Sequence, residues 1–356
     1  MLKRGAIFDM KQKFICVEFV KDIDEIPLKF NLLKKAPLSV IDWYVRKFNP
    51  YRIEEISVLG ESGYLVSIPI TLEESRKDKE KTMMITSKML ENIKELSVDI
   101  AFPPRNFPFE FPEVVRIANG KHIFALLIMQ AINKAVKMTN RELKKTEILI
   151  IGGNETITNI VLENVYRHVN YLSLIFDENA SDAEIEDYNK TAAYIFDDVG
   201  LNVRITKKNV DCLKSADIII NTSNERIPYD YYYKRGAIYF DLGMNKEKTR
   251  ELMVKRGDIL VITGLKIKVL EDENSDFSTG HVQNNTYRDE IFEAQFYIKI
   301  REYRTLLNRT YANNTYFFDM VRKINEILVE DNTDIVSFYQ RERALTSVHF
   351  SKFLNI

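Results

Sequence analysis

The chain has 356 residues, is 45% hydrophobic and 29% charged, and sets 51 Lys and Arg against 52 Asp and Glu for a formal net charge of −1. That balance gives no electrostatic reason for a nucleic-acid or anionic-membrane partner, while the length accommodates two domains and a helical appendage. Cys16 and Cys212 are too few for a disulfide framework or structural metal site, the N-terminal stretch has no signal-peptide core, and no apolar run approaches the ~18 residues of a membrane span; the expectation is a soluble cytoplasmic protein.

Residues 1–140 read as an N-terminal α/β domain of the substrate-binding type. Gly5 to Asp9 and Phe14 to Val20 look like strands on either side of a polar turn, able to pair as a hairpin. Leu38 to Phe48 reads as a helix with Trp43 inward, stopped by Asn49-Pro50. Tyr64 to Ile70 is a further strand. Thr71 to Leu96 reads as one long helix, charged at first and then amphipathic through Met83, Ile85, Met89, Ile93 and Leu96. After a short strand at Val98 to Phe102, the prolines between 103 and 112 forbid a helix and make a stiff loop before the second domain. Arg105, Arg116, Lys121 and His122 are its candidates for binding an anionic substrate or moving a proton, against a plain reading as solvated charges. An apolar helix from His122 to Met138 bridges the two domains.

The second domain, 146–265, carries the strongest pattern. Glu147 to Ile151 is a buried-strand run stopped by Gly152-Gly153; Ile157, Ile160, Val161 and Val165 then recur at helical spacing, and Tyr171 to Phe176 supplies a second strand. Strand, glycine turn, helix and strand open a Rossmann-type doubly wound parallel sheet, in which dinucleotides lie at the first turn. The turn keeps only the first glycine of GxGxxG, with Asn154 and Ile157 at the later positions, and Glu155 sets a carboxylate where a pyrophosphate would lie. Gly152, Gly153, Asn154 and Thr156 are the candidate cradle. Asp177 or Glu178, about 20 residues beyond the turn, suits the ribose hydroxyls of NAD better than the phosphate of NADP. Further strands at Asn202 to Thr206, Ala216 to Asn224, Ala237 to Gly243 and Asp258 to Thr263 alternate with helices. One of those helices follows Ser181 and carries Ile185, Tyr188, Ala192, Phe196 and Val199 inward. Asn221, Thr222 and Gly243 fall at strand carboxyl ends, where ligands bind in such sheets. The polar segment 271–285, with His281, reads as a connector or flap, and residues 286–356 as C-terminal helices that fold back or form a homodimer interface.

The order of parts resembles the shikimate dehydrogenase and glutamyl-tRNA reductase superfamily. ADIIINTS and AIYFDLGMNKEKTRELMVKRG look like that group's fourth and fifth strand segments, and the approach to the glycine turn is partly similar to long-chain acyl-carrier-protein reductases. The resemblance implies an NAD(P)-dependent oxidoreductase acting on a small anionic substrate. The lysine that shikimate dehydrogenases use falls here at Pro103, Ala118-Asn119-Gly120 offers no matching aspartate, and neither cysteine stands at a nucleophile position of the other two groups. Two readings therefore stay open. One is an oxidoreductase with bound NAD or NADP, NAD favoured, in which His122 or Lys121 exchanges a proton and Arg105 or Arg116 holds a carboxylate. The other is a non-catalytic Rossmann-type scaffold or regulator with no cofactor. HExxH, CxxC, P-loop and GxSxG patterns are absent from the sequence, which removes the corresponding metalloprotease, zinc, NTPase and hydrolase classes.

Overall fold

The computed structural model describes residues 13–20, 22, 26, 35–48, 51–58, 61–93, 96, 98–103, 115–153, 155–176, 180–207, 210–224, 230–243, 246–269, 282–283, 286–308, 314–341 and 343–353. The chain forms two compact units, one of residues 1–119, 273–278 and 293–301 and the other of residues 120–272, 279–292 and 302–356.

The first unit runs β1 (Phe14–Val20), α1 (Leu38–Phe48), β2 (Arg52–Val58), β3 (Glu61–Thr71), α2 (Leu72–Lys77), α3 (Lys79–Ile93), β4 (Ile100–Phe102) and β5 (Arg116–Ile117). Its sheet has the order β2-β3-β1-β4-β5. Strand β1 lies between β3 and β4 and is parallel to both, whereas β2 and β3 form an antiparallel hairpin. The expected hairpin of Phe14 to Val20 with Gly5 to Asp9 is not the pairing seen for β1; residues 5–9 themselves lie outside the described residues. The run FICVEFV is apolar enough to be covered on both faces, which suits a central parallel strand. Ile15, Val17, Val66, Ile68, Ile85 and Met89 form the heart of this core. Trp43, expected inward, is 55% exposed, because the buried stripe of α1 runs through Ile41, Tyr44 and Val45. The single long helix expected from Thr71 is two. Thr71 and Glu74 close a capping box on α2, and Asp78 ends that helix and accepts from the backbone N–H of Lys81 to start α3.

The second unit continues with α4 (Lys121–Leu126), α5 (Ile128–Met138), β6 (Glu147–Ile151), α6 (Glu155–Val165), β7 (Tyr171–Ile175), α7 (Asp182–Val199), β8 (Arg204–Thr206), α8 (Val210–Ser215), β9 (Ile218–Asn221), β10 (Ile238–Asp241), α9 (Lys246–Lys255) and β11 (Leu260–Ile262). The expected bridging helix breaks at Leu127 into α4 and α5. All six strands are parallel in the order β11-β10-β9-β6-β7-β8. Numbered from β6, that is 3-2-1-4-5-6 read from the β8 edge, the order of two mononucleotide-binding halves joined back to back. The direction of winding reverses between β6 and β9. Helix α7 has the expected Ser181–Glu184 capping box and a left-handed Gly200 at its end, but its inner face is Tyr188, Thr191 and Ile195, with Phe196 and Val199 exposed.

The remainder comprises β12 (Gly264–Lys268), β13 (Val282–Gln283), β14 (Thr286–Arg288), α10 (Asp289–Lys299), α11 (Arg301–Asn308), α12 (Asn314–Glu330), β15 (Asp334–Gln340), β16 (Arg343–Leu345) and α13 (Ser347–Ser351). The closing segment thus holds the expected helices together with strands that join β12 in an antiparallel sheet of order β13-β14-β12-β15-β16. The run DIVSFYQ alternates around buried Ile335 and Phe338, a strand period that the helical reading of this segment passed over. Helix α6 has no solvent face: every residue from Ile157 to Val165 is buried. Part of its cover is α12, whose Arg322 pairs with the buried Glu163 at 2.6 Å and donates to the Tyr194 hydroxyl at 2.9 Å, while Asn325 donates to Asn164 at 2.7 Å.

Candidate functional site

Four connections converge at the carboxyl ends of β6, β9 and β10, around the reversal point of the second unit. The first is the turn Gly152-Gly153, whose Gly152 N–H donates to the Ile175 carbonyl at 2.7 Å and so continues the β6–β7 ladder one residue past the strand. A Cβ on Gly153 would lie 2.6 Å from the Cα, Cβ and Oγ of Ser223. A side-chain-free residue is needed here for the close approach of two backbones, the β6 turn and the segment after β9.

The second connection is that segment, Asn221 to Asn224. Thr222 donates its hydroxyl to the Ile151 carbonyl at 2.9 Å, and its Oγ1 lies 2.6 Å from that of Thr158 on α6. One hydroxyl carries one proton, so Thr158 is the donor between the two threonines. Asn221 Oδ1 accepts from the Ser223 N–H at 3.1 Å, and its Nδ2 donates to the Ser223 carbonyl at 3.0 Å and to Asp241 at 3.2 Å. These side chains are more than nine-tenths buried and stitch the sheet's carboxyl edge together. The third connection follows β10. Asp241 also accepts from Thr249, and a Cβ on Gly243 would collide with the Ser223 carbonyl.

The fourth is the start of α4. Gly120 has φ +81° and a Cβ there would meet the Asp289 carboxyl carbon at 2.7 Å. Asp289 is fully buried and accepts from the Leu265 N–H at 3.2 Å. Lys121, thus aimed, donates from Nζ to the Gly243 carbonyl at 2.6 Å and to the Asn224 amide oxygen at 3.1 Å. A candidate cation therefore stands over the ends of the fourth and fifth strands. Lys121, Gly152, Gly153, Asn221, Thr222 and Gly243 are brought together in this way. Thr156 lies in the first turn of α6, half-buried, and His122 follows Lys121 in α4. Arg116 belongs to the first unit, where its guanidinium sits 5.7 Å from the centre of the Tyr297 ring. Arg105, Asn154, Asp177, Glu178 and His281 lie outside the described residues.

Tyr188 is the participant that sequence periodicity counted only as packing. It stacks on Phe176 at 6.3 Å, and its hydroxyl, bonded to Thr158, lies 3.3 Å from where a Gly152 Cβ would be. Burial pushes its pKa up to about 12. The sequence carries no local signal for this role: Tyr188 stands between Asp187 and Asn189 and differs from a packing residue only through partners distant in the chain. Among the described residues no group of three or more His, Cys, Asp or Glu side chains is placed to hold a metal ion, and no helix is long and apolar enough to cross a membrane.

No family model and no curated protein sequence matches the chain. Solved structures do. Delta(1)-pyrroline-2-carboxylate reductase of Thermococcus litoralis, in complex with NADH and L-proline, is 13% identical over 40% of this chain and 38% of its own, with a TM-score of 0.25. Iminosuccinate reductase of Paracoccus denitrificans, in complex with NAD+, is 15% identical over 36% of this chain and 38% of its own, at a TM-score of 0.25. Shikimate 5-dehydrogenase of Listeria monocytogenes, in complex with shikimate and NAD, is 13% identical over 70% of this chain and 86% of its own, at a TM-score of 0.31. The match spans little more than a third of the length of the first two of these proteins. The doubly wound fold rests on strand order and register, not on these likenesses.

Proposed function

We propose that the second unit takes a nicotinamide dinucleotide, NAD rather than NADP, at the carboxyl ends of β6, β9 and β10, and that the chain is an oxidoreductase acting on a small anionic substrate. The observation that carries this reading is the placement of Gly152-Gly153 at the reversal point of a 3-2-1-4-5-6 parallel sheet, directly before the N-terminus of α6. Backbone N–H groups and the helix dipole make that position attractive to a pyrophosphate. The residues fit the group in part. Gly153 supplies the missing side chain but has Ser223 against it, and Glu155 opposes an anion. Bound there, the dinucleotide would supply the hydride. Lys121, anchored on Gly243 and Asn224, is the group within the unit suited to hold an anionic substrate or to exchange a proton, and His122, the next residue of α4, is the second proton carrier that the sequence offers.

A second reading, a non-catalytic scaffold, is favoured by one specific observation: the Thr158–Thr222 bond and the Ser223–Gly153 approach draw together the two connections between which a dinucleotide enters. Titration of the purified protein with NADH and NADPH, read by fluorescence enhancement and thermal shift, separates the two. Micromolar binding with NADH preferred, strengthened in Glu155→Gly, is the expected result. Absence of binding by both the unmodified protein and Glu155→Gly would leave the scaffold reading standing.

A further inference from the structure

Beside the glycine turn, α6 and α7 enclose a small hollow lined by Glu155, Asn159, Glu184, Asp187, Tyr188 and Thr191. It has room for a group about the size of one water molecule. Asn159 is 7% exposed, and its Oδ1 is fully buried with no hydrogen-bond partner among the described residues. A buried acceptor left unmet is costly, so a donor is called for.

The hydrogen-bond directions decide the chemistry of the donor. Thr222 gives its proton to Ile151 and Thr158 therefore gives its own to Thr222. The Tyr188 oxygen has lone pairs with which to accept. Thr191 donates to the Asp187 carbonyl at 2.9 Å, so its hydroxyl too has spent its proton. The carboxylates of Glu155, Glu184 and Asp187 only accept. Glu184 is engaged with Ser181, and Lys190 lies 3.5 Å from Asp187 on the exposed side of α7. Asn159 Oδ1 and the Tyr188 oxygen thus offer acceptors, in a negative field, in a volume that fits a single nitrogen.

We infer that this hollow binds the primary ammonium group of a small organic amine, with Asn159 Oδ1 and the Tyr188 oxygen accepting two of its protons and the Glu155 and Asp187 carboxylates supplying the charge. Three donors on one nitrogen suit acceptors set around it, and the carboxylates need not converge closely as they would on a metal ion. The site shares Glu155 with the dinucleotide reading but otherwise uses the flank of α6 and not its first N–H groups, and its test variants leave Glu155 in place.

The test is calorimetric titration of the full chain with n-propylammonium chloride, with tetramethylammonium chloride at matched ionic strength as the donor-free control. Saturable binding of propylammonium alone is expected, weakened about tenfold in Asn159→Leu through loss of one charge-assisted hydrogen bond. Asp187→Asn, at an exposed position, should weaken it as well while keeping the far-ultraviolet circular dichroism of the unmodified protein. An equal response to tetramethylammonium would mean diffuse attraction and overturn the inference. So would unchanged affinity in both variants, or no saturable binding at all, which would mean that the hollow holds only water. The NADH titration described above can fail without bearing on any of these outcomes.

Discussion

Ser223 is the residue on which the carboxyl edge of the parallel sheet closes, because Gly153 and Gly243 approach it from either side. Its role is one of backbone position, so the substitutions that test it are at the glycines. Gly153→Ala forces a methyl against the Ser223 Cα and is expected to cost about 2–3 kcal/mol of stability, the usual penalty for overfilling a packed site. Gly257→Ala has nothing within 4 Å and no positive φ, so it should be neutral or stabilising by about 0.5 kcal/mol. Denaturant midpoints of the two variants check the pair, and equal midpoints would deny that the turn is closed by Ser223. At this scale the sequence was legible in part. A glycine turn after a buried run announces the turn, and Asn221, Thr222 and Gly243 announce themselves as polar or small residues ending strands. That Gly153 serves a protein backbone and that Lys121 reaches over to Gly243 are facts of pairs far apart in sequence, 70 and 122 positions respectively, which no local period encodes.

At the scale of elements, the parallel strands were readable because each is a short apolar run between turn residues, and α9 because its charge and spacing leave no other choice. Missed were features decided by partners. Helix α7 turns Ile195 inward instead of Phe196, and the strand β15 sits where a helix was expected. Helix α6 shows what a partner does to chemistry. Its Glu163 side chain is buried and held by Arg322, with Arg167 at 3.9 Å. Burial raises the Glu163 pKa above its ordinary 4.5, and Arg322 opposes that rise. In Arg322→Ala the opposition is lost and the carboxyl rises further. A group whose folded pKa is raised is neutral in both states below 4.5, and it destabilises the fold progressively as pH climbs from 4.5 through the folded value. Arg322→Ala should therefore be nearly harmless near pH 4 and cost about 2–3 kcal/mol at neutral pH, discounted for the part-exposed arginine. Thermal melts of both proteins across that range decide it; a cost independent of pH would assign Arg322 to packing alone.

For the whole molecule, residues 314–353 complete the second unit instead of decorating it. β15 pairs along β12, the Tyr339 carbonyl accepts from the Thr263 N–H at 2.7 Å, and Phe338 packs edge-on to Phe240 of the parallel sheet at 6.5 Å. A chain ending at residue 312 would uncover α6, strand Glu163 without Arg322, and leave one edge of β12 unpaired, and such edges recruit other chains. It should be recovered as aggregate or as an expanded species on size exclusion; a compact monomer with a cooperative melt would show that the closing segment is dispensable. The same arrangement sets the timetable of biosynthesis. A chain leaves the ribosome from its N-terminus, so β6 to β11 emerge long before Phe338, Arg322 and Asn325 exist to cover them. The first unit likewise awaits residues 293–301. Both units must therefore emerge with an oily face bare, and the maturing chain depends on residues 293–353 arriving before a neighbouring polypeptide finds the gap.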